Sequence, residues 1–335
     1  MTTTKQPAGP PTSARHTDGA GEGRLDVRGL TKRFGPVEAV RDLSFTVEPG
    51  QITGFLGPNG AGKTTTLRAA LGLIRPTSGE VTIDGIPYQK LAHPARVVGA
   101  VFDSNGFHQS RKARAHLRIY TAAFGVPDAR AEEVLALVGL ADVANRRIGG
   151  FSLGMRQRLA LATALLGDPR ILILDEPGSG LDPEGVAWLR GFLRAFAAGG
   201  RTVLVSSHQL AEVAQTVDRV VIISKGTGVF EGSLDQLSGA TRNRVRVQSA
   251  DSTRLATALT EHGITDIHAE PAGWLTVIGS STAEVGEVAL AAGVALLTMA
   301  GERADLEQHF LQLTVSQYLP TTPSLSVPAE QEGDR

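Results

Sequence analysis

The sequence contains no cysteine. A disulfide framework and any cysteine-ligated metal are therefore excluded, and the composition suits the cytosol. Long apolar runs are also missing. None approaches the about 20 residues of a membrane-spanning helix. The longest candidate, around Val288 to Met299, is short and is interrupted by Gly293. Any role at a membrane must then come through a partner. An excess of either charge is lacking as well, with 33 Lys and Arg against 34 Asp and Glu. That balance argues against a dedicated nucleic-acid binder, whose phosphate contacts call for a basic surplus. The opening residues Met1 to Pro7 have no apolar core, so no signal peptide is expected.

What is present is enough for two domains. At 335 residues with 41% hydrophobic content, the chain can build real cores. Residues 1–24 are rich in Thr, Pro, Gly, Ala and Ser and read as a disordered tail, as do residues 319–335. Residues 25–238 alternate short strand-like runs with helical patterns, which predicts an α/β domain with a largely parallel sheet. Strands are expected at Leu43–Val47, Ile52–Leu56, Val97–Phe102, Ile171–Leu174, Thr202–Ser206 and Val220–Ile223. From about residue 104 to 167 the pattern is almost wholly helical, which predicts an inserted helical subdomain. Residues 239–318 mix alternating strands (Arg244–Val247, Trp274–Ile278) with helical stretches (Ser252–His262, Thr282–Ala292, Ala304–Leu313) and predict a small α+β unit. That unit shows no catalytic constellation, and no internal repeat is evident.

One stretch carries the first clear chemistry. Gly57, Pro58, Asn59, Gly60, Ala61, Gly62, Lys63, Thr64 and Thr65 fit the phosphate-loop pattern G-x-x-x-x-G-K-[ST]. A strand-like run, Gln51–Leu56, precedes it and a helical run, Leu67–Ile74, follows. The glycines let the backbone wrap an anion with its N–H groups pointing inward. The helix start adds partial positive charge. Lys63 reaches toward the β- and γ-phosphates, and the Thr64 hydroxyl is a ligand for Mg²⁺.

Two further strand ends supply the remaining groups. Ile171–Leu174 is an apolar run suited to a strand buried on both faces, and it ends in Asp175 and Glu176. Ligands of open α/β sheets bind at such carboxyl ends. Asp175 there is placed to hold Mg²⁺, and Glu176 to polarise an attacking water as general base. His208 ends another strand, Val205-Ser206-Ser207-His208, and is expected near the γ-phosphate and that water.

The order of these motifs completes a pattern. Gly57–Thr65 is followed by Phe151-Ser152-Leu153-Gly154-Met155-Arg156-Gln157-Arg158, then Asp175-Glu176-Pro177, Ser179-Gly180-Leu181-Asp182 and His208. This resembles the ATP-binding subunit of an ATP-binding cassette (ABC) transporter, over about residues 25–238. The resemblance implies an α/β fold: a P-loop NTPase core of the ABC ATPase type with an inserted helical subdomain, here followed by the small C-terminal α+β unit. It implies ATP and Mg²⁺ as cofactors, with catalysis by Glu176, His208 and Lys63. Phe34 matches the aromatic position that stacks on adenine. Thr64, Asp175 and Asp103 are the implied metal contacts. Ser152 and Gly154 open a helix and form a second anion site. In the family that segment completes the site of a second subunit, so two ATPs lie in a head-to-tail dimer; Asp182 is counted among the nucleotide contacts.

Three positions depart from the family pattern. Leu153 replaces the first signature Gly and is expected to crowd backbone approach to phosphate. Met155 replaces the usual Gln. Asp103 stands where the glutamine loop places Gln; it ligates the metal directly or acts through water, and it is expected to couple ATP state to the permease. The implied partners are a polytopic membrane permease, touching Ser104–His108 and the helical subdomain, and a second copy of the chain, with no nucleic acid. The implied location is cytoplasmic, on the inner face of the membrane through that permease. The spacing and C-terminal unit most resemble bacterial cassettes that export antibiotics, lantibiotics or similar amphiphiles. The alternative is a soluble ABC-type ATPase acting on ribosomes or DNA, against which stand the single cassette, the absence of sustained heptads and the balanced charge.

Overall fold

A computed structural model describes residues 23–102, 106–239, 244–302 and 306–315. In chain order the first part runs β1 (Leu25–Phe34), β2 (Val37–Val47), β3 (Ile52–Leu56), α1 (Lys63–Ala70), β4 (Ser78–Ile83), α2 (Pro94–Val97) and β5 (Val98–Val101). Helices α3 (Ala113–Phe124), α4 (Ala129–Leu137) and α5 (Leu153–Leu165) follow. The chain then returns through β6 (Ile171–Asp175), α6 (Pro183–Ala198), β7 (Thr202–Ser207), α7 (Leu210–Val213), β8 (Arg219–Ser224), β9 (Thr227–Ser233) and α8 (Leu234–Gly239). The last part comprises β10 (Arg244–Ser249), α9 (Ser252–Glu261), β11 (Ile267–Ala269), β12 (Trp274–Ile278), α10 (Thr282–Ala291), β13 (Leu296–Glu302) and α11 (Leu306–Val315).

The central sheet has the order β5-β6-β7-β3-β8-β9. Its first five strands are parallel and β9 is antiparallel. Period-two alternation divides each central strand between two cores. Ile171 and Ile173 of β6 join a cluster with Phe55, Leu204 and Val221, which packs under the antiparallel sheet β2-β1-β4. Leu172 and Leu174 join the opposite cluster, with Val203, Val205 and the inner faces of α3, α4 and α5 (Leu117, Leu135, Leu159). Burial on both faces explains why β6 reads as an unbroken apolar run and why β3 and β7 expose none of their residues. It also fixes the three strand ends Leu56, Asp175 and Ser207 along one edge.

Strands β1, β4 and β9 were not expected, nor were β11 and β13 in the last part. β1 mixes Arg28, Lys32 and Arg33 with its apolar residues and shifts register against β2 at three points, so its sequence shows no clean alternation. α1 spans Lys63–Ala70 rather than Leu67–Ile74: it starts inside the glycine loop and ends before the turn at Gly72.

In the last part, β10–β13 with α9 and α10 form a βαββαβ unit whose antiparallel sheet has the order β11-β12-β10-β13. Its own core gathers Val245, Val247, Leu255, Leu275, Val277 and Val285. The closing helix departs from its expected place in that unit. α11 packs on β8, α7 and α8 instead. Phe310 is buried in the first part's core, and the Ser224 hydroxyl donates to the Thr314 carbonyl.

A buried histidine marks the helical region. His116 on α3 is 4% exposed, lies between Phe107 and Tyr120, and has no partner for either ring nitrogen among the described residues. Desolvation, helped by the charge of Arg111, pushes its pKa down from about 6.5 to about 4. The fold therefore favours the neutral ring. Its contribution to stability is complete above about pH 6.5 and is lost as pH falls toward and through 4, a difference on the order of 3 kcal/mol. His116→Phe is expected to flatten this acid limb, as urea unfolding at pH 5 and pH 7.5 would show; an unchanged pH dependence refutes the assignment.

Candidate functional site

Three strand ends and one helix start converge at the edge of the central sheet. The glycine loop leaves β3 at Leu56, and the Gly57 N–H donates to the carbonyl of Ser207 at the end of β7. A Cβ on Gly57 would overlap the carbonyl oxygen of Ile223 on β8, so only glycine lets the loop lie this close to the sheet. Asn59 and Gly60 at its crest are exposed.

The Lys63 side chain is 5% exposed, and its ammonium donates to the carbonyls of Gly57 (2.7 Å) and Pro58 (3.3 Å). A buried ammonium must be paired. Its anionic partner is Glu176, whose Oε1 lies 3.3 Å from Nζ.

Two hydroxyls hold Asp175. Thr64, one residue into α1, donates to Oδ2 at 2.7 Å; Ser206, near the end of β7, donates to Oδ1 at 2.6 Å. The Ser206 hydroxyl also accepts from the Glu176 N–H at 3.0 Å. Thr64 and Asp175 thus place two hard oxygen donors side by side, as a small cation with retained waters requires. No larger group of His, Asp or Glu able to hold a metal stands among the described residues, so any ion here is held partly by other oxygens.

Glu176 sits at φ 48°, in the left-handed region that glutamate rarely adopts. That conformation lifts its carboxylate off the strand axis and into a cluster of donors. Besides Lys63, the His208 Nδ1 lies 3.2 Å from Oε2 and the Ser179 hydroxyl donates to Oε2 at 3.3 Å. Local strain of this kind persists where the surroundings over-determine it.

Other expected residues stand around this edge. Ser152 is the N-cap of α5, its hydroxyl accepting from the Met155 N–H, and it is exposed. A cavity of about 620 Å³ runs from Ser152 and Gly154 to Asp175 and Glu176. The Asp182 carboxylate caps α6 by accepting from the Gly185 N–H at 2.8 Å. Phe34 ends β1 with its ring half exposed and the Lys32 ammonium 4.8 Å from its centroid. Asp103, Ser104 and Asn105 lie outside the described residues. Sequence reasoning gave no role to Ser206 or Ser179; the signal for Ser206 was a hydroxyl following the apolar run Val203–Val205 of a buried strand.

A phosphate loop facing an Asp–Glu strand end and a histidine is the arrangement of a P-loop nucleoside triphosphatase. Comparison with known proteins narrows the class. A family profile described as "ABC transporter" matches residues 40–179, and one described as "Domain of unknown function (DUF8746)" matches residues 243–307. The chain is 37% identical to the bacitracin transport ATP-binding protein BcrA of Bacillus licheniformis over 290 residues, 85% of this chain and 95% of that protein. It is 34% identical to the Nod factor export ATP-binding protein I of Rhizobium meliloti over 303 residues, 87% of this chain and 88% of that one. Among solved structures, an ATP-binding subunit of an ABC transporter superposes with a TM-score of 0.59 and 27% identity, covering 64% of this chain and 92% of that one. CbiO1 of Clostridium perfringens, part of the transporter complex cbiONQ, gives 0.58 and 25%, covering 64% and 89%. The chain belongs to the ABC transporter family as an ATP-binding, ATP-hydrolysing subunit. These relatives lend no support to the ribosomal or DNA-acting alternative.

The glycine loop yields a direct prediction. Gly57→Ala is expected to displace the loop from β8 and weaken ATP binding at least about tenfold, a cost of about 1.4 kcal/mol or more. Fluorescent-nucleotide titration measures it; affinity equal to the parent's would contradict the close approach.

Proposed function

We propose that this subunit drives export of a drug-, antibiotic- or peptide-like amphiphile through a separate polytopic membrane permease, acting as a head-to-tail pair with a second copy of itself. ATP binds with its triphosphate on Gly57–Thr65 and its adenine against Phe34. Ser152 and Gly154 of the other copy close on the γ-phosphate. Thr64 and Asp175 hold Mg²⁺, which when bound draws charge from the phosphate oxygens. Glu176 takes a proton from the attacking water. The water oxygen bonds to the γ-phosphorus as the bond to the β–γ bridging oxygen breaks, giving ADP and phosphate. Lys63 offsets charge on the γ-phosphate, and His208 orients the Glu176 carboxylate. Asp182 serves the nucleotide site by fixing the start of α6 beside it.

Among the described residues no helix is long and apolar enough to cross a membrane. A membrane partner is therefore part of this reading. Its contact residues are Ser104 to His108, with Asp103 before them in sequence, together with the helical subdomain. Attachment there keeps the subunit on the inner face of the membrane.

One observation carries the hydrolytic part: the Glu176 carboxylate has Lys63, His208 and Ser179 all within 3.3 Å. Export is supported by relatives named for bacitracin transport and Nod factor export that span most of this chain. Glu176→Gln is expected to bind ATP with near-parent affinity and to lower kcat at least about 100-fold. Near-normal turnover would remove Glu176 from the role of base. For the transport part, a tagged chain is pulled down from detergent-solubilised membranes of its host. A polytopic protein recovered at comparable abundance supports the reading; ribosomes or DNA-repair proteins without a membrane protein overturn it.

A further inference from the structure

Both ring nitrogens of His208 are engaged. Nδ1 lies 3.2 Å from Oε2 of Glu176, and Nε2 lies 3.0 Å from the side-chain nitrogen of Gln209. An ionised carboxylate only accepts, so Nδ1 carries the ring hydrogen. An amide nitrogen only donates, so Nε2 presents its lone pair to Gln209.

Successive side chains of an extended chain point to opposite sides. A turn at the end of β7 brings these two together. The Gln209 N–H donates to the Ser207 hydroxyl at 3.0 Å, and that hydroxyl donates to Oε2 of Glu212 on α7 at 2.8 Å. The Ser207 carbonyl accepts from the Gly57 N–H, so the same turn is pinned to the phosphate loop. Gln209 is the N-cap of α7, a position that favours Ser, Thr, Asp or Asn. It makes no side-chain cap and turns its amide onto His208 instead.

A γ-phosphate asks the opposite of this ring. Phosphate oxygens accept, so a histidine that meets them must offer an N–H. With Nδ1 given to Glu176, the nitrogen left for phosphate is Nε2, and Gln209 covers it.

We infer that Gln209 is a specificity-determining residue that stands in for the γ-phosphate at His208 Nε2, so that ATP must displace its amide and ADP need not. The inference rests on the reading above, with the triphosphate on Gly57–Thr65 and the γ-phosphate reaching His208. Gln209 then acts by competition: the hydrogen bond it gives His208 is one that ATP must break.

The full-length chain is titrated calorimetrically, in Mg²⁺, with ADP and with the nonhydrolysable analogue adenylyl imidodiphosphate. Gln209→Met keeps the side-chain length and removes the donor. It is expected to raise affinity for the imidodiphosphate about fivefold and to leave that for ADP within about twofold. Adding His208→Ala to Gln209→Met is expected to abolish the gain. A change shared equally by both nucleotides, as a merely structural role gives, overturns the inference, as does a gain that survives His208→Ala. A fall for the imidodiphosphate alone makes the amide a phosphate contact and overturns it too. Nitrogen NMR of the histidine-labelled parent tests the premise separately. His208 Nε2 is expected to read as unprotonated with ADP and protonated with the imidodiphosphate. That response, with nucleotide affinities unchanged in Gln209→Met, overturns the role of Gln209 alone. A His208 signal that is the same with both nucleotides overturns the placing of the γ-phosphate at His208, and the inference with it.

Discussion

The carboxylate of Asp175 is the knot on which the site depends. One oxygen accepts from Thr64 on α1 and the other from Ser206 on β7. Three elements distant in sequence are thereby set in register at one point. The phosphate loop, which opens onto α1, and Glu176, which follows Asp175 directly, inherit their positions from it. The knot forms only because β3, β6 and β7 run parallel and side by side, and they do so because each divides its apolar residues between two cores. A carboxylate with both oxygens accepting from hydroxyls is fixed in position, and fixed oxygen donors are what a divalent cation needs.

The sheet edge that carries the candidate site was legible in the sequence because its information is local. The loop Gly57–Thr65, the pair Asp175-Glu176 and His208 are short motifs at the ends of apolar runs, and such runs reveal a buried parallel sheet. Ser206 was not legible in this way. Its role depends on a neighbouring strand, a contact that no periodicity encodes. β1, β4 and β9 were missed for a different reason. They belong to a bulged sheet or a sheet edge, where one face is wet and the alternation is broken.

Leu153 shows how a correct local argument meets a tertiary override. A side chain at a phosphate-binding helix start does crowd backbone approach when it points at the anion. Here Gly180 lies on the other side, and its missing Cβ leaves the space that the Leu153 side chain takes. The substitution at 153 and the glycine at 180 are therefore one feature. Enlarging residue 180 would push Leu153 back toward the site it now avoids.

The C-terminal part extends the same logic of long-range ties. Its βαββαβ unit has a separate core, yet the chain does not end there. α11 returns to the ATPase body, burying Phe310 and accepting a hydrogen bond from Ser224 at the end of β8. α8, which leads into the unit, and α11, which follows it, contact each other. Entry and exit are thus held at one place, beside the strand whose Ile223 backs Gly57 of the phosphate loop. A unit anchored at both ends loses less entropy on docking than one on a single tether, since closing the second connection restricts only a loop whose ends already meet.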